Sequence, residues 1–245
     1  MQRYTVSDAL VLRRTPLPSG DVVVTLLSEH GKWRAVARKG RLPGGNLARL
    51  SLFHDVTVQA YRRRDDDLAV LTQVRLNGAL AGLARPEAYP YAHLIAELAD
   101  ALTVDAHVGD RLLAVVTSGL KGISGYSDPE AVALAYAWRL IALAGLAPRA
   151  RSGSNPACER CGARATVLAP DDGTLRCREH GTGPRDVQVG EDGARALATA
   201  LGGSLREAVT SPPLDRARAW RALSTYVREH VGELKALRAL SEVSA

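Results

Sequence analysis

The rhythm of polar and apolar positions changes once along this 245-residue chain, near Leu80. Before that point, short runs rich in Val, Leu and Thr occupy 6–13, 22–28, 33–38, 53–63 and 68–76. Turn-forming segments separate them: 16–21, His30-Gly31, 40–46 and the acidic Asp65-Asp66-Asp67. The alternation is clearest at Phe53, Val56, Val58 and Ala60 and at Val70, Thr72 and Val74, as expected of strands with one face in a core. Five short strands with little helical signal predict a small closed barrel such as an OB-fold, and the pattern alone fits an SH3-like barrel nearly as well. Beyond Leu80 the period lengthens to that of helices. Pro86 is read as opening a helix over 87–104 with Leu94, Ile95, Leu98 and Leu102 on one face, and a second helix follows over 110–123. Ser127-Asp128-Pro129-Glu130 has the form of a capping box, with Ser127 as N-cap, and opens a helix running to about 146, before Pro148. Helical signal returns over 194–201, and Pro213 is read as starting one last long helix over 214–240.

Residues 151–184 interrupt the helical pattern and carry the most specific signal in the chain. Cys158-Glu159-Arg160-Cys161 is followed, after fifteen residues, by Cys177-Arg178-Glu179-His180. Two half-sites at this separation match a structural zinc site, with Cys158, Cys161, Cys177 and His180 as ligands. Gly162 permits the tight turn after the first half-site, and 169–173 reads as a turn between two short strands, so the unit resembles a zinc ribbon. Glu159, Asp171, Asp172 and Glu179 are less apt donors beside three thiolates. Four protein ligands leave no open position for water, so one Zn²⁺ per chain is expected to fold the loop and catalyse nothing. The chain then divides into a barrel (1–80), a helical domain in two parts (81–150 and 185–245) and an inserted ribbon (151–184). It is an α+β multidomain protein.

Composition adds three constraints. Phe occurs once, so the cores should be aliphatic. All three cysteines fall in the metal motif, which points to a reducing, cytoplasmic interior rather than a disulfide framework. No apolar h-region follows Met1, so no signal peptide is expected. The longest apolar stretch, 131–147, is Ala-rich, interrupted by Arg139 and too short for a bilayer, so it reads as a buried helix.

The charge is unevenly placed. Residues 1–80 hold thirteen Lys and Arg against seven Asp and Glu, whereas 81–245 hold nineteen of each, so the whole excess of +6 sits in the barrel. Lys32, Arg34, Arg38, Lys39 and Arg41 lie within ten residues without an acid among them. Lys32, Arg34 and Arg38 share parity on the predicted third strand. Arg62-Arg63-Arg64 ends the fourth strand and Arg13-Arg14 the first. Such clusters are often only solvated strand ends. Concentrated in the one charged domain, they point instead to a polyanion, read mainly through phosphates with little sequence preference. Aromatic platforms for base stacking are scarce: Trp33 is the best placed, beside Tyr4, Tyr61 and Phe53, the last reading as core. His30, His54, His93, His107 and His230 have no nucleophile and orienting acid near them in sequence, and no phosphate-binding GxxxxGK[ST] loop is present. The acidic turn at Asp65–Asp67 reads as solvated rather than as a Mg²⁺ site, and the HxE motif that would make Cys158-x-x-Cys161 part of a nucleobase deaminase is missing.

Taken together, a basic N-terminal barrel, a helical domain and a Cx2C ribbon after a long helix resemble the RecO family of bacterial recombination mediators. Tyr4-Thr-Val-Ser-Asp-Ala-Leu-Val-Leu12 is similar to that family's opening strand, and the stretch from Gly20 to Lys32 to its second strand and turn. Val36-Ala-Arg-Lys-Gly-Arg41 resembles its basic stretch, and Leu71-Thr-Gln-Val74 its fifth strand. The resemblance implies an OB-fold that binds single- and double-stranded DNA, anneals complementary strands and, with RecR, helps RecA replace single-strand binding protein on gapped DNA. It implies no catalysis, no membrane association and a place in the cytoplasm near the nucleoid. His180 stands where the family pattern usually has cysteine. Two other functions fit parts of the pattern: an RNA-binding accessory protein with the same domains, and a metal-dependent nuclease using Asp65–Asp67.

Overall fold

The computed structural model describes residues 4–39, 46–63, 68–103, 109–149 and 156–243. Five strands close into a barrel in the order β1-β2-β3-β5-β4: β1 Tyr4–Pro16, β2 Val22–Ser28, β3 Gly31–Ala37, β4 Asp55–Tyr61 and β5 Ala69–Gly78. β1 is long enough to serve two neighbours. Its first half pairs with β4 and its second with β2, the two overlapping at Leu10, and a register shift between Val11 and Arg13 interrupts the second pairing. A short parallel contact closes the barrel, with Ala35 opposite Ala69 and Val36 opposite Val70. This strand order is OB-like and decides against the SH3-like alternative. All five predicted strands are present, with ends displaced by at most three residues.

β2 explains how the barrel joins the rest of the molecule. Every one of its residues is buried, because both of its faces are covered. Val22, Val24 and Leu26 pack inside the barrel with Val11, Val56 and Val58, whereas Leu27 turns outward into the helical core. Leu10, Leu12 and Phe53 join Leu27 there.

The helical domain comprises α1 Tyr89–Leu102, α2 Gly109–Gly125, α3 Pro129–Leu143, α4 Gly190–Gly202, α5 Leu205–Thr210, α6 Arg216–His230 and α7 Lys235–Val243. Eleven of the fifteen residues of α3 are buried, so this helix is covered on most sides and forms the centre of the domain. Four sequence-based expectations are corrected here. Pro90, not Pro86, occupies the first turn of α1, because the chain first makes a 3-10 turn at Ala81–Ala84. The N-cap of α3 is Asp128 rather than Ser127: its carboxylate accepts from the Ala131 N–H at 2.9 Å. α5 was not anticipated; the Ser204 hydroxyl caps it by accepting from the Glu207 N–H. The single helix expected over 214–240 is two, because the N–H groups of Val231 and Gly232 both turn back to the Val227 carbonyl and end α6.

Three short strands, β6 Val167–Ala169, β7 Thr174–Arg176 and β8 Val187–Gln188, form a second sheet in the order β7-β6-β8. The expected turn between two strands is a 3-10 turn at Pro170–Asp172. This ribbon is not a free appendage. Ala165, Leu168, Leu175 and Val187 share a continuous core with the helices. Polar contacts fix it as well: His230 Nε2 meets the Pro170 carbonyl at 2.8 Å, and Arg185 pairs with Glu229 at 2.5 Å.

Candidate metal centre and nucleic-acid surface

The two half-sites of the ribbon fold as matching turns. The Gly162 N–H donates to the Cys158 carbonyl at 2.9 Å with Gly162 at φ +77°, a left-handed conformation that a side chain disfavours. In the second turn, His180 and Gly181 both donate to the Cys177 carbonyl, at 3.2 and 2.9 Å. A side chain at Gly181 would lie 2.5 Å from Cγ1 of Val167, so β6 sits directly against the turn that carries His180.

These turns bring Cys158, Cys161, Cys177 and His180 together, with all four potential ligand atoms within 4.8 Å of one another. Cys161 Sγ lies 3.7 Å from Cys177 Sγ, and His180 Nδ1 lies 3.5 Å from Cys158 Sγ and 3.4 Å from Cys177 Sγ. A tetrahedral ion with bonds of about 2.3 Å to sulfur and about 2.1 Å to nitrogen needs edges of about 3.8 and about 3.6 Å. The observed spacings fit that shell, and the four residues could hold one metal ion. Among the described residues, no other group of three or more His, Cys, Asp or Glu side chains meets so closely.

The electrostatics of the cluster favour a cation. Burial works against a thiolate at Cys158. Backbone N–H groups of Cys161, Cys177 and Arg160, with His180, outweigh it and bring that thiol down to about 6. The opposite happens at Cys161: the Ala163 N–H favours its thiolate, but burial and the two neighbouring sulfurs prevail and hold the thiol above its ordinary value. Three sulfurs this close cannot all carry charge without a positive ion between them.

The basic residues named from sequence fall into three sets. Lys32 and Arg13 are turned toward the helical domain, where both pair with Asp100 of α1, at 3.0 and 3.3 Å. Lys32 Nζ also donates to the Asp100 carbonyl at 2.5 Å, and the Asp100 side chain retains only 17% of its exposure. Arg14 donates to the Leu47 carbonyl at 3.5 Å. Arg34, by contrast, is exposed on the outer face of β3, and Arg38 and Lys39 are exposed in the turn that follows it. Lys39 takes a φ of +50°, and its N–H donates to Asp21 at 2.7 Å, which holds that carboxyl below its usual range. The third set, Arg62 and Arg63, is exposed beyond the end of β4. Arg41, Arg64 and the Asp65–Asp67 turn lie outside the described residues.

Of the aromatic candidates, Trp33 packs partly buried against the barrel interior, and Phe53 is buried between the domains. Tyr4 and Tyr61 instead form a cross-strand pair with ring centroids 5.1 Å apart. Sequence reasoning missed Asp100, which lies in the charge-balanced part of the chain and reaches Lys32 only through the fold. The histidines are dispersed: His54 Nδ1 meets the Arg49 carbonyl, His93 sits against Phe53 and Tyr89, and His230 against Pro170. His107 lies outside the described residues. Among those described, no helix is long and apolar enough to cross a membrane.

Comparison with known proteins covers nearly the whole chain. The family model described as Recombination protein O N terminal matches residues 1–79, and that described as Recombination protein O C terminal matches 83–238. The chain is similar to the DNA repair protein RecO of Symbiobacterium thermophilum, with 30% identity over 243 residues covering 93% of this chain and 92% of the relative. The similarity to the DNA repair protein RecO of Pelobacter propionicus is 29% over 251 residues, covering 97% and 96%. For the protein of the same name from Moorella thermoacetica it is 26% over 197 residues, covering 77% and 71%.

Proposed function

This chain belongs to the RecO family of DNA repair proteins, and from that premise we propose that it is a non-enzymatic recombination mediator. In this reading the barrel binds single- and double-stranded DNA through phosphates and anneals complementary strands. With RecR, the protein then helps load RecA onto single strands covered by single-strand binding protein, in the cytoplasm at the nucleoid. The observation that carries the DNA reading is the exposure of Arg34, Arg38 and Lys39 at the end of β3, on the one domain with net positive charge. Guanidinium and ammonium groups clustered in this way neutralise phosphates and release counterions, which gives affinity without sequence preference.

The metal held by Cys158, Cys161, Cys177 and His180 is, in this proposal, a structural Zn²⁺. Three thiolates and an imidazole suit zinc, and a shell filled by protein has no place for a reacting water. Its contribution is to fold the ribbon, whose apolar residues share a core with the helices.

Annealing of complementary strands, with and without the cognate single-strand binding protein, tests the function. Wild type is expected to accelerate annealing, and the Arg34→Glu, Arg38→Glu, Lys39→Glu triple variant to lose that activity while keeping its helicity and metal. The log–log salt slope of single-strand binding should fall by about 0.7 for each phosphate that is no longer neutralised. A triple variant that anneals like wild type, with an unchanged slope, would place the DNA surface elsewhere.

A further inference from the structure

Four aromatic residues occur in the barrel segment, and the fold turns two of them inward: Phe53 is buried and Trp33, half-buried, packs against the interior. The other two meet on the outside. Tyr4 stands directly opposite Tyr61, and Tyr61 opposite Val70, so the three form one row across β1, β4 and β5. Tyr4 keeps 55% of its surface, Tyr61 is half-buried, and the two rings are tilted by 46°. A cross-strand tyrosine pair can stabilise a sheet by itself. Its surroundings indicate more.

Exposed Arg62 and Arg63 follow Tyr61 directly in the chain, so two cations leave the sheet at the same end of β4 as the rings. On the other side, Val6, Gln59 and Gln73 form the next outward row, about 7 Å along the strands from the tyrosines. That row opens into a groove of about 800 Å³, lined also by Thr72, Arg49 and Arg75. An aromatic face, adjacent cations and a groove edged with amide and guanidinium donors match the needs of an unstacked base: a π surface, a phosphate partner and hydrogen bonds at its edge. Of the acids of this face, Asp8 stands at the edge of the groove, held by the hydroxyl of Thr57 that lines it, and Asp55 lies one row further on, where it accepts from Asn77.

We propose that the outer β1-β4-β5 face is a binding site for unpaired nucleotides, with the Tyr4–Tyr61 pair as stacking platform and Arg62 and Arg63 as phosphate contacts. The proposal rests on the DNA-binding reading but concerns strands β1, β4 and β5, which adjoin the strand that carries Arg34 through the pairing of Val70 with Val36. It gives the protein a preference for strands whose bases are free, which phosphate contacts alone do not supply.

The probe is a fluorescent single strand compared with an abasic strand of the same length and charge, at one salt concentration. Wild type should bind the normal strand about tenfold more tightly, the size of one stacking contact. The Tyr4→Leu, Tyr61→Leu variant, which keeps apolar bulk in the sheet, should bind both strands at the abasic level while its affinity for duplex stays unchanged. Tyr4→Phe with Tyr61→Phe should retain the preference. Equal binding of the two strands by wild type overturns the stacking site and leaves the phosphate reading standing, with no dependence on the folding of a variant. A leucine variant that keeps the preference overturns it too. Failure of wild type to bind either strand removes the DNA reading itself.

Discussion

At the scale of single residues, Phe53 holds the most unusual backbone, with a φ of +65° that bulky side chains rarely adopt. The contortion turns its ring out of the barrel and edge-on against Tyr89 and His93 of α1. The periodic pattern identified Phe53 as core but assigned it to a strand, because alternation cannot register a residue that leaves the strand to reach another domain. His93 gives this contact a pH dependence. Burial lowers its pKa below 6.5, with Glu97 acting in the opposite direction. The unfolded chain therefore takes up a proton at a higher pH than the folded one. Stability is fully present above about 6.5 and is lost as pH falls through that value toward the folded pKa. Urea midpoints measured from about pH 7 to about pH 5 should fall more steeply for wild type than for His93→Leu; parallel curves would show that His93 is not the titrating group.

At the scale of elements, the ribbon was legible in detail. Its ligand spacing and hairpin follow from Cys158, Cys161, Cys177, His180 and the turn after Ala169. Its dependence on α6 was not, because the residues that dock it, Tyr226, Glu229 and His230, lie more than forty positions away. Tyr226 donates to the Leu146 carbonyl at 2.8 Å and packs on His230, which in turn meets Pro170. Likewise, nothing but Gly232 marks in sequence where α6 gives way to α7. If the proposed Zn²⁺ folds the ribbon, chelating it should then loosen more than the loop. Hydrogen exchange is expected to rise in β6 and β7 and also across α6, while the barrel interior, a separate cluster around Val11, Val24 and Val58, keeps its protection. Exchange confined to the ribbon would show that α6 stands without it.

At the scale of the whole molecule, charge asymmetry identified the barrel as the basic domain, and strand alternation puts Arg34 on its outer face, whereas Arg38 falls in the turn beyond β3, where parity no longer applies. Parity could not foresee that Lys32, on the same face, ends against Asp100, since the position of α1 beside β3 is a tertiary fact. Asp100 binds Lys32 and Arg13 at once and so fastens the barrel to the helices with two of the barrel's own cations. Asp100→Asn should cost about 2 kcal/mol, between the values for exposed and buried pairs. It should also release the two cations toward a ligand. If both then meet phosphates, the single-strand salt slope steepens by about 1.4. An unchanged slope alongside lower stability would leave Asp100 with the fastening role alone.

The outward-facing apolar residues of the barrel have a practical consequence for dissecting the protein. Leu10, Leu12, Leu27 and Phe53 belong to the helical core although they are carried by the first eighty residues. A barrel cut free after Leu80 would keep its own interior but expose these four side chains as one wet, greasy patch beside a basic surface. Such a fragment is prone to self-association. DNA binding measured on it would then report on clusters of barrels rather than on one, and a faithful fragment would need polar replacements at Leu12 and Phe53 first.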